Sequence, residues 1–411
     1  MKKQNCKVSS SIEICQSYTI DYYTQDCGGF EDYQKNKGKR IEDVRLQSVA
    51  TIAGIKKPGR LLDLGCGRGE LTYYFAKQGF EVTAIDYSES AIQLAKKCFS
   101  EEESLRKQVQ FYCTSVCNIL LQDNYDLAVA SDLIEHLSFE EVEHLYERVS
   151  RHLQPDGLFV IHTFPNLWYY QYDYTRRRKL AALVGEYLPE QPRSKYELLM
   201  HINEQSPRVL KKQLSRHFKY VLLWFADPQN PGGSLVKKFS NREICAVSSL
   251  FAIASHQPID QEQLKNCLQM SPLLPIPAGE IELLVRDYPS EVVFGSEFYI
   301  QLEIKNNTKY LLNSYGDNPI HISYHWLDEQ ANDCIVFEGE RTKIFPPLEG
   351  AEGLLKEPLL GNIAIRNYRA RVRAIPKKGN YILRITLVQE GVRWFEQAPT
   401  HLIEDIPISI L

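Results

Sequence analysis

The stretch Leu61-Leu62-Asp63-Leu64-Gly65-Cys66-Gly67-Arg68-Gly69-Glu70 narrows what this chain can fold into more than any other. A short apolar run passes through three glycines into a helix-patterned segment, Glu70 to Gln78, that ends at Gly79. Glycines at a strand-to-helix turn let the backbone approach a ligand closely, and the helix N-terminus then faces that ligand. The turn predicts a nucleotide site at the carboxyl edge of a mostly parallel sheet.

The flanking pattern agrees. Arg60–Leu64, Val82–Ile85, Val109–Tyr112, Asp126–Ala130 and Leu158–Thr163 read as strands, and Glu89–Phe99 reads as a helix between two of them. Ser138, with Glu141 three residues on, reads as a capping box. Its helix should run to about Leu153 and stop at Pro155-Asp156-Gly157. Arg45, Leu46, Val49, Ile52 and Ala53 place a further helix before the first strand. A helix at Pro207–His217 and strands at Tyr220–Phe225 and Arg242–Phe251 should close the sheet, with the turn-rich Asp227–Gly233 between those strands. Such βα alternation predicts an α/β Rossmann-like domain with helices on both faces.

The 411 residues suit two domains. Residues 1–255 read as the α/β domain, with an N-terminal helical extension and a lid-like insertion at 165–200. Residues 256–278, with Pro272, Pro275 and Pro277, read as a linker. Residues 279–411 read as a β-sandwich of short alternating strands: Phe298–Ile304, Ile320–Trp326, Arg369–Ala374 and Tyr381–Val388. A net charge of -4 argues against a dedicated nucleic-acid binder, and no DNA partner is expected. The 10 cysteines form no CxxC pair, so they read as mostly reduced and buried in a cytoplasmic protein. No apolar run approaches the ~20 residues that cross a bilayer.

Asp86 closes the second strand about twenty residues past the glycines, where an acid can hold ribose hydroxyls. A Gly65-x-Gly67-x-Gly69 spacing departs from the GxGxxG of nicotinamide-binding domains. Together with Tyr125-Asp126-Leu127 and Glu135-His136-Leu137, these motifs resemble the class I S-adenosylmethionine-dependent methyltransferases over roughly residues 20–255. The resemblance implies S-adenosyl-L-methionine as cofactor. By it, Asp63, Gly65 and Gly67 border the methionine part, with Cys66 and Gly69 completing the loop. It also implies that Asp86 binds the ribose, Tyr87 flanks the adenine, and Ser115-Val116 lie against the adenine edge. Many relatives carry Asp where Ser115 stands. A methyltransferase fold that has lost activity is the bland alternative.

Acceptor chemistry should sit after the fourth strand, in Asp132-Leu133-Ile134-Glu135-His136, with His201 returning to the same mouth. These four are the catalytic candidates. The set resembles the E-x-x-E-H plus distant His of metal-dependent O-methyltransferases, which include quinone-biosynthesis and small-RNA 3′-terminal enzymes. That resemblance implies Asp132, Glu135, His136 and His201 as ligands of Mg²⁺ or Mn²⁺, with Asp132 replacing the first Glu. Three readings stand: a metal site, His136 as base or substrate contact, and a purely structural dipeptide.

The insertion opens with Phe164-Pro165-Asn166-Leu167-Trp168-Tyr169-Tyr170 and continues to Arg176-Arg177-Arg178-Lys179. Read as a substrate lid, Asn166, Trp168 and Tyr169 contact the acceptor and the arginines hold a phosphate or dock on anionic lipids. Read blandly, it is a helix with a core aromatic face and a solvated basic one. The sandwich resembles immunoglobulin-like modules of bacterial cell-surface polysaccharide enzymes, on Ser323-Tyr324-His325-Trp326-Leu327, Gly379-Asn380-Tyr381 and Arg393-Trp394-Phe395. It could bind glycan, form a homodimer or pack on the enzyme. Trp326 and Trp394 read either as sugar-stacking residues or, as a sandwich normally buries its tryptophans, as core; core is the expectation. The resulting expectation is O-methylation of a sugar or glycan intermediate, with peripheral membrane contact if that acceptor is lipid-linked. The alternatives are a quinone or other small metabolite, an RNA 3′-end 2′-O-methyltransferase, and a non-catalytic glycan-binding scaffold.

Overall fold

A computed structural model describes residues 17–121, 124–268, 280–308, 310–316, 318–330, 333–348, 365–397 and 402–411. The chain divides into two compact units, Met1–Gln261 and Glu262–Leu411. Within the expected linker, Gln261–Leu268 is a helix, while Pro272, Pro275 and Pro277 lie outside the described residues.

Leu61, Leu62 and Leu64 are apolar without alternation because β1 (Arg60–Leu64) lies in the middle of a sheet and is buried along nearly its whole length. It pairs in parallel with β2 (Glu81–Asp86) on one side and β4 (Tyr125–Ser131) on the other. With β3 (Val109–Cys113), β5 (Leu153–Thr163), β6 (Tyr220–Ala226) and β7 (Ser249–Ser255), the order is β3-β2-β1-β4-β5-β7-β6. Only β7 is antiparallel to its neighbours in this sheet. The direction of winding reverses between β1 and β4, which opens a crevice at their carboxyl ends. Ile85, Ala128, Phe159 and Ile161 pack in one core with Val142, Leu145 and Val149 of helix Phe139–His152 and Leu214 of helix Pro207–His217. Each such large side chain, fully buried, contributes about 1.5–3 kcal/mol. The Ser138–Glu141 box caps the first of these helices in both directions.

Two expectations fail locally. Pro155-Asp156-Gly157 does not end the helix in a loop; it lies within β5. Tyr125 pairs with Leu153 but Leu127 pairs with Leu158, so residues 154–157 bulge out of register, where Pro and Gly are tolerated. The expected strand Arg242–Phe251 is instead a helix, Asn241–Ala246, followed by β7. A second capping box, Ser240 with Glu243, starts that helix and overrides the apolar run. The link from β6 to β7 is therefore longer than the turn expected, and Asp227 Oδ1 ties its ends by accepting from the Ser248 amide at 3.0 Å.

Among its described residues the second unit is all-β apart from its opening helix. One sheet holds Ile281–Asp287, Glu297–Asn306 and Ile365–Arg373; the larger one is built on Ile320–Asp328, Gly379–Gln389 and Glu404–Ile410. Phe298, Ile300, Leu302 and Ile304 alternate inward from the first sheet and share a core with Ile322, Trp326, Leu383 and Ile408 of the second. This is a β-sandwich. Trp326 is fully buried, its Nε1 donating to the Arg373 carbonyl at 3.0 Å. Trp394 is only half-buried, packed against His325 and beneath the Arg341 guanidinium. The Tyr381 hydroxyl donates to the Lys378 carbonyl at 3.4 Å, just upstream.

No helix of the described residues is long and apolar enough to cross a membrane. The thiols depart from expectation. The described cysteines that are free include buried Cys66, Cys98 and Cys267, but Cys113 and Cys334 are exposed on strands whose outer face is solvated.

Candidate active site

A cavity of about 460 Å³ opens at the crevice between β1 and β4. Its floor is the glycine turn. Gly65, Gly67 and Gly69 all take positive φ. A Cβ on Gly67 would meet no protein atom within 4 Å, so that position leaves open space at the ligand side. A Cβ on Gly69 would come within 2.8 Å of the Ala95 backbone, so that glycine serves helix packing instead. The Gly67 amide donates to Asp86 Oδ2 at 3.0 Å and the Ser88 amide to Oδ1 at 2.9 Å, which fixes the Asp86 carboxylate at the end of β2. Asp63 is buried and accepts from the Thr72 hydroxyl at 2.5 Å. Burial pushes Asp63 up to about 7 and Asp86 up to about 6, because neither faces a cation that would hold it ionised.

At the other end of the cavity β4 delivers Asp132, a non-glycine residue at φ 52°. Asp tolerates this left-handed geometry better than most residues, at a cost of about 1–3 kcal/mol. Asp132 Oδ2 accepts from Arg45 Nη1 at 2.8 Å, and Oδ1 stands 2.9 Å from His162 Nδ1. Burial opposes its charge, but the His162 imidazole and the Arg45 guanidinium hold the carboxyl well below the usual range. Glu135 shows the opposite response. Burial and the neighbouring Asp132 charge push it well above the usual range, and it accepts from the Thr163 hydroxyl at 2.9 Å.

His136 is held down to about 3 by burial and by His201, whose ring centre lies 4.8 Å away. Burial also lowers His201. His136 Nδ1 lies 2.8 Å from the Tyr18 hydroxyl and 3.3 Å from the Met200 carbonyl. A carbonyl can only accept, so it favours the tautomer with the proton on Nδ1, leaving Nε2 as the ring's acceptor.

Ligand atoms of Glu135, His136 and His201 lie within 4.8 Å of one another. His201 Nδ1 is buried without a hydrogen-bond partner, 4.0 Å from Glu204. Two neutral imidazoles and a carboxylate fit a first-row ion such as Mn²⁺ better than Mg²⁺. Asp132, the fourth residue expected in that set, is not grouped with these three; Arg45 and His162 occupy its oxygens.

The roof of the cavity was illegible as a site. Tyr18, Tyr22, Tyr23, Asp26 and Cys27 from the N-terminal segment line it. Arg68 of the glycine turn holds that segment, donating to the carbonyls of Tyr23, Cys27 and Gly28 while paired with Glu70. Ser88 Oγ donates to the Tyr18 carbonyl, and the Tyr196 hydroxyl donates to Asp26 at 2.7 Å. The only signal in the sequence was the density of tyrosines between residues 18 and 23.

Several expected site residues do not line the cavity. Ser115 Oγ turns back to accept from the Cys117 amide, and Val116 packs in the hydrophobic core. Asn166 is buried elsewhere, donating to the Val247 carbonyl and accepting from the Trp168 amide. Trp168 stacks on Phe225 with Arg208 over its ring, and Tyr169 packs with Tyr170, Tyr174 and Arg177. From the insertion the cavity takes Ser194, Tyr196, Glu197 and Met200, beside Phe164 and His201. Arg176 and Arg177 both pair with Asp173, away from it. Asp63, Gly65, Cys66, Gly67, Asp86, Tyr87, Asp132, Glu135, His136 and His201 are brought together around one space.

A parallel sheet in this order, with a glycine turn and an acid at its switch point, defines a Rossmann-like nucleotide-binding unit. Residues 61–157, within the first unit, match the family model described as "Methyltransferase domain". The ubiquinone biosynthesis O-methyltransferase of Nitrobacter winogradskyi is 29% identical over 126 residues, 31% of this chain and 45% of that protein. The probable S-adenosyl-L-methionine-dependent methyltransferase TehB of Haemophilus influenzae is 31% identical over 113 residues, 28% of this chain and 38% of that protein. This chain thus spans less than half the length of these curated relatives. The plantazolicin methyltransferase BpumL, solved in complex with SAH, is 18% identical with a TM-score of 0.38, covering 60% of this chain and 98% of that one.

Proposed function

We propose that this protein transfers the methyl group of S-adenosylmethionine to a hydroxyl of a polar acceptor, a sugar or glycan intermediate. One observation carries the reading: the glycine turn with Asp86 and the Asp132–Glu135–His136–His201 cluster line the same cavity. In the reaction the acceptor oxygen attacks the sulfonium methyl carbon, the sulfur–methyl bond breaks, and S-adenosylhomocysteine leaves. His136 Nε2 takes the hydroxyl proton, and the imidazolium that forms is favoured by the Asp132 carboxylate. The donor is already activated, so alignment supplies much of the rate. The walls carry Asp26, Arg45, Tyr196 and Glu197 beside Phe164, Met200 and the tyrosines of residues 18–23, a mix that can hydrogen-bond a hydroxylated acceptor and cover its apolar face.

A second reading, with a divalent ion, is favoured by the unpartnered Nδ1 of His201. Glu135, His136 and His201 would hold it, and it would lower the pKa of the acceptor hydroxyl. The test is transfer from methyl-labelled S-adenosylmethionine to panels of sugars and quinols, with EDTA or added Mn²⁺. The proposal predicts label in the sugar panel, at least about a hundredfold slower in His136→Ala. Label only in the quinols would replace the acceptor class, and loss in EDTA restored by Mn²⁺ would favour the ion.

A further inference from the structure

The insertion after β5 carries a feature that the cavity does not use. Helix Thr175–Leu183 has little sidedness; its basic and apolar residues are separated along its length instead. Arg176, Arg177, Arg178 and Lys179 fill its first half, and Leu180 and Leu183 lead into Val184 and Tyr187. Leu183 is 82% exposed, Val184 73% and Tyr187 86%. These large apolar side chains lie within eight residues of one another along the chain. A stable protein interface instead needs a patch of about 800 Å² on each partner.

Charge supplies the second observation. Residues 172–195 hold six basic and three acidic side chains, in a chain whose net charge is -4. Asp173 already takes up Arg176 and Arg177, whereas exposed Arg178 and Lys179 have no ion-pair partner among the described residues. An apolar tip beneath a cationic collar is the composition of an interfacial anchor. The apolar side chains enter the acyl boundary while Arg and Lys stay at the headgroups.

We propose that the 175–187 tip docks the protein on an anionic lipid surface. From Tyr187 the chain needs seven residues to reach Ser194 on the cavity wall, a span of at most ~25 Å. The docked tip therefore keeps Ser194, on the cavity wall, within about 25 Å of the headgroup plane. Docking itself does not rest on the methyltransferase reading.

The experiment is co-sedimentation of the full chain with phosphatidylcholine vesicles, with and without phosphatidylglycerol. The expected result is binding to the anionic vesicles only, weakened at least about tenfold both by Leu183→Asp with Val184→Asp and by Arg178→Glu with Lys179→Glu. The far-UV circular dichroism and thermal midpoint of each variant, measured in parallel, are expected to stay unchanged, which shows that the fold is intact and keeps this test separate from the function proposed above. No binding to anionic vesicles, binding that both variants retain, or self-association that Leu183→Asp with Val184→Asp abolishes would overturn the proposal.

Discussion

Asp63 and Asp86 are buried beside a hydroxyl and backbone amides rather than cations, and this governs how the ligand-free cavity responds to pH. Each has a folded pKa above its ordinary value of 3.8, so the native state keeps protons that the unfolded chain has released. Their contribution to stability is therefore present at acid pH and declines as pH rises from about 4 to about 7. Asp63→Asn keeps an acceptor for Thr72 and removes the charge. It should raise the Tm of the ligand-free protein more at pH 8 than at pH 4, where the unfolded carboxyl is still largely protonated; an equal shift at both would refute the burial argument. On the proposed reading, in which the Asp86 carboxylate accepts from the ribose hydroxyls, cofactor binding should run the opposite way. Affinity should fall as pH drops through about 6, and Asp86→Asn should be weak and flat with pH in the same titrations. These acids were legible because a strand end and a glycine turn fix where their side chains must go. Asn166, Trp168 and Tyr169 were misplaced because composition cannot say whether an aromatic run packs on its own sheet or overhangs a cavity. They pack on β6 and the helices beside it.

Among elements, the segment that roofs the cavity takes more bonds from Arg68 than from any other side chain. Arg68 bonds three carbonyls of residues 23–28, and no compact cation such as lysine can reach them all. Arg68→Lys should speed amide exchange and proteolysis across residues 17–28 and raise the cofactor off-rate about tenfold, with the sheet unaffected. Unchanged exchange in that segment would mean that Tyr18 and Tyr196 hold it instead. The strands and helices around β1 to β4 were legible from periodicity and caps. The two errors arose where a local signal was overridden: a register slip absorbed Pro155 to Gly157, and a capping box turned 241–246 into helix. The roof is illegible in the sequence because its contacts join residues 40 or more positions apart through main-chain carbonyls, which carry no residue identity.

At the scale of the whole molecule, two separate cores predict two separate folding units. A fragment of residues 1–261 should unfold cooperatively and retain cofactor binding, and a fragment of residues 262–411 should unfold cooperatively without it. A first fragment that folds but binds nothing would show that the sandwich completes the site. The cavity beneath residues 17–28 is proposed as an S-adenosylmethionine site built on Gly67 and Asp86, and calorimetric titration of the full chain and of Asp86→Ala with that cofactor decides it. Saturable binding in the roughly micromolar range is expected, weakened about ten- to a hundredfold in Asp86→Ala. Absence of heat from folded wild-type protein, or equal affinity in the variant, would contradict it.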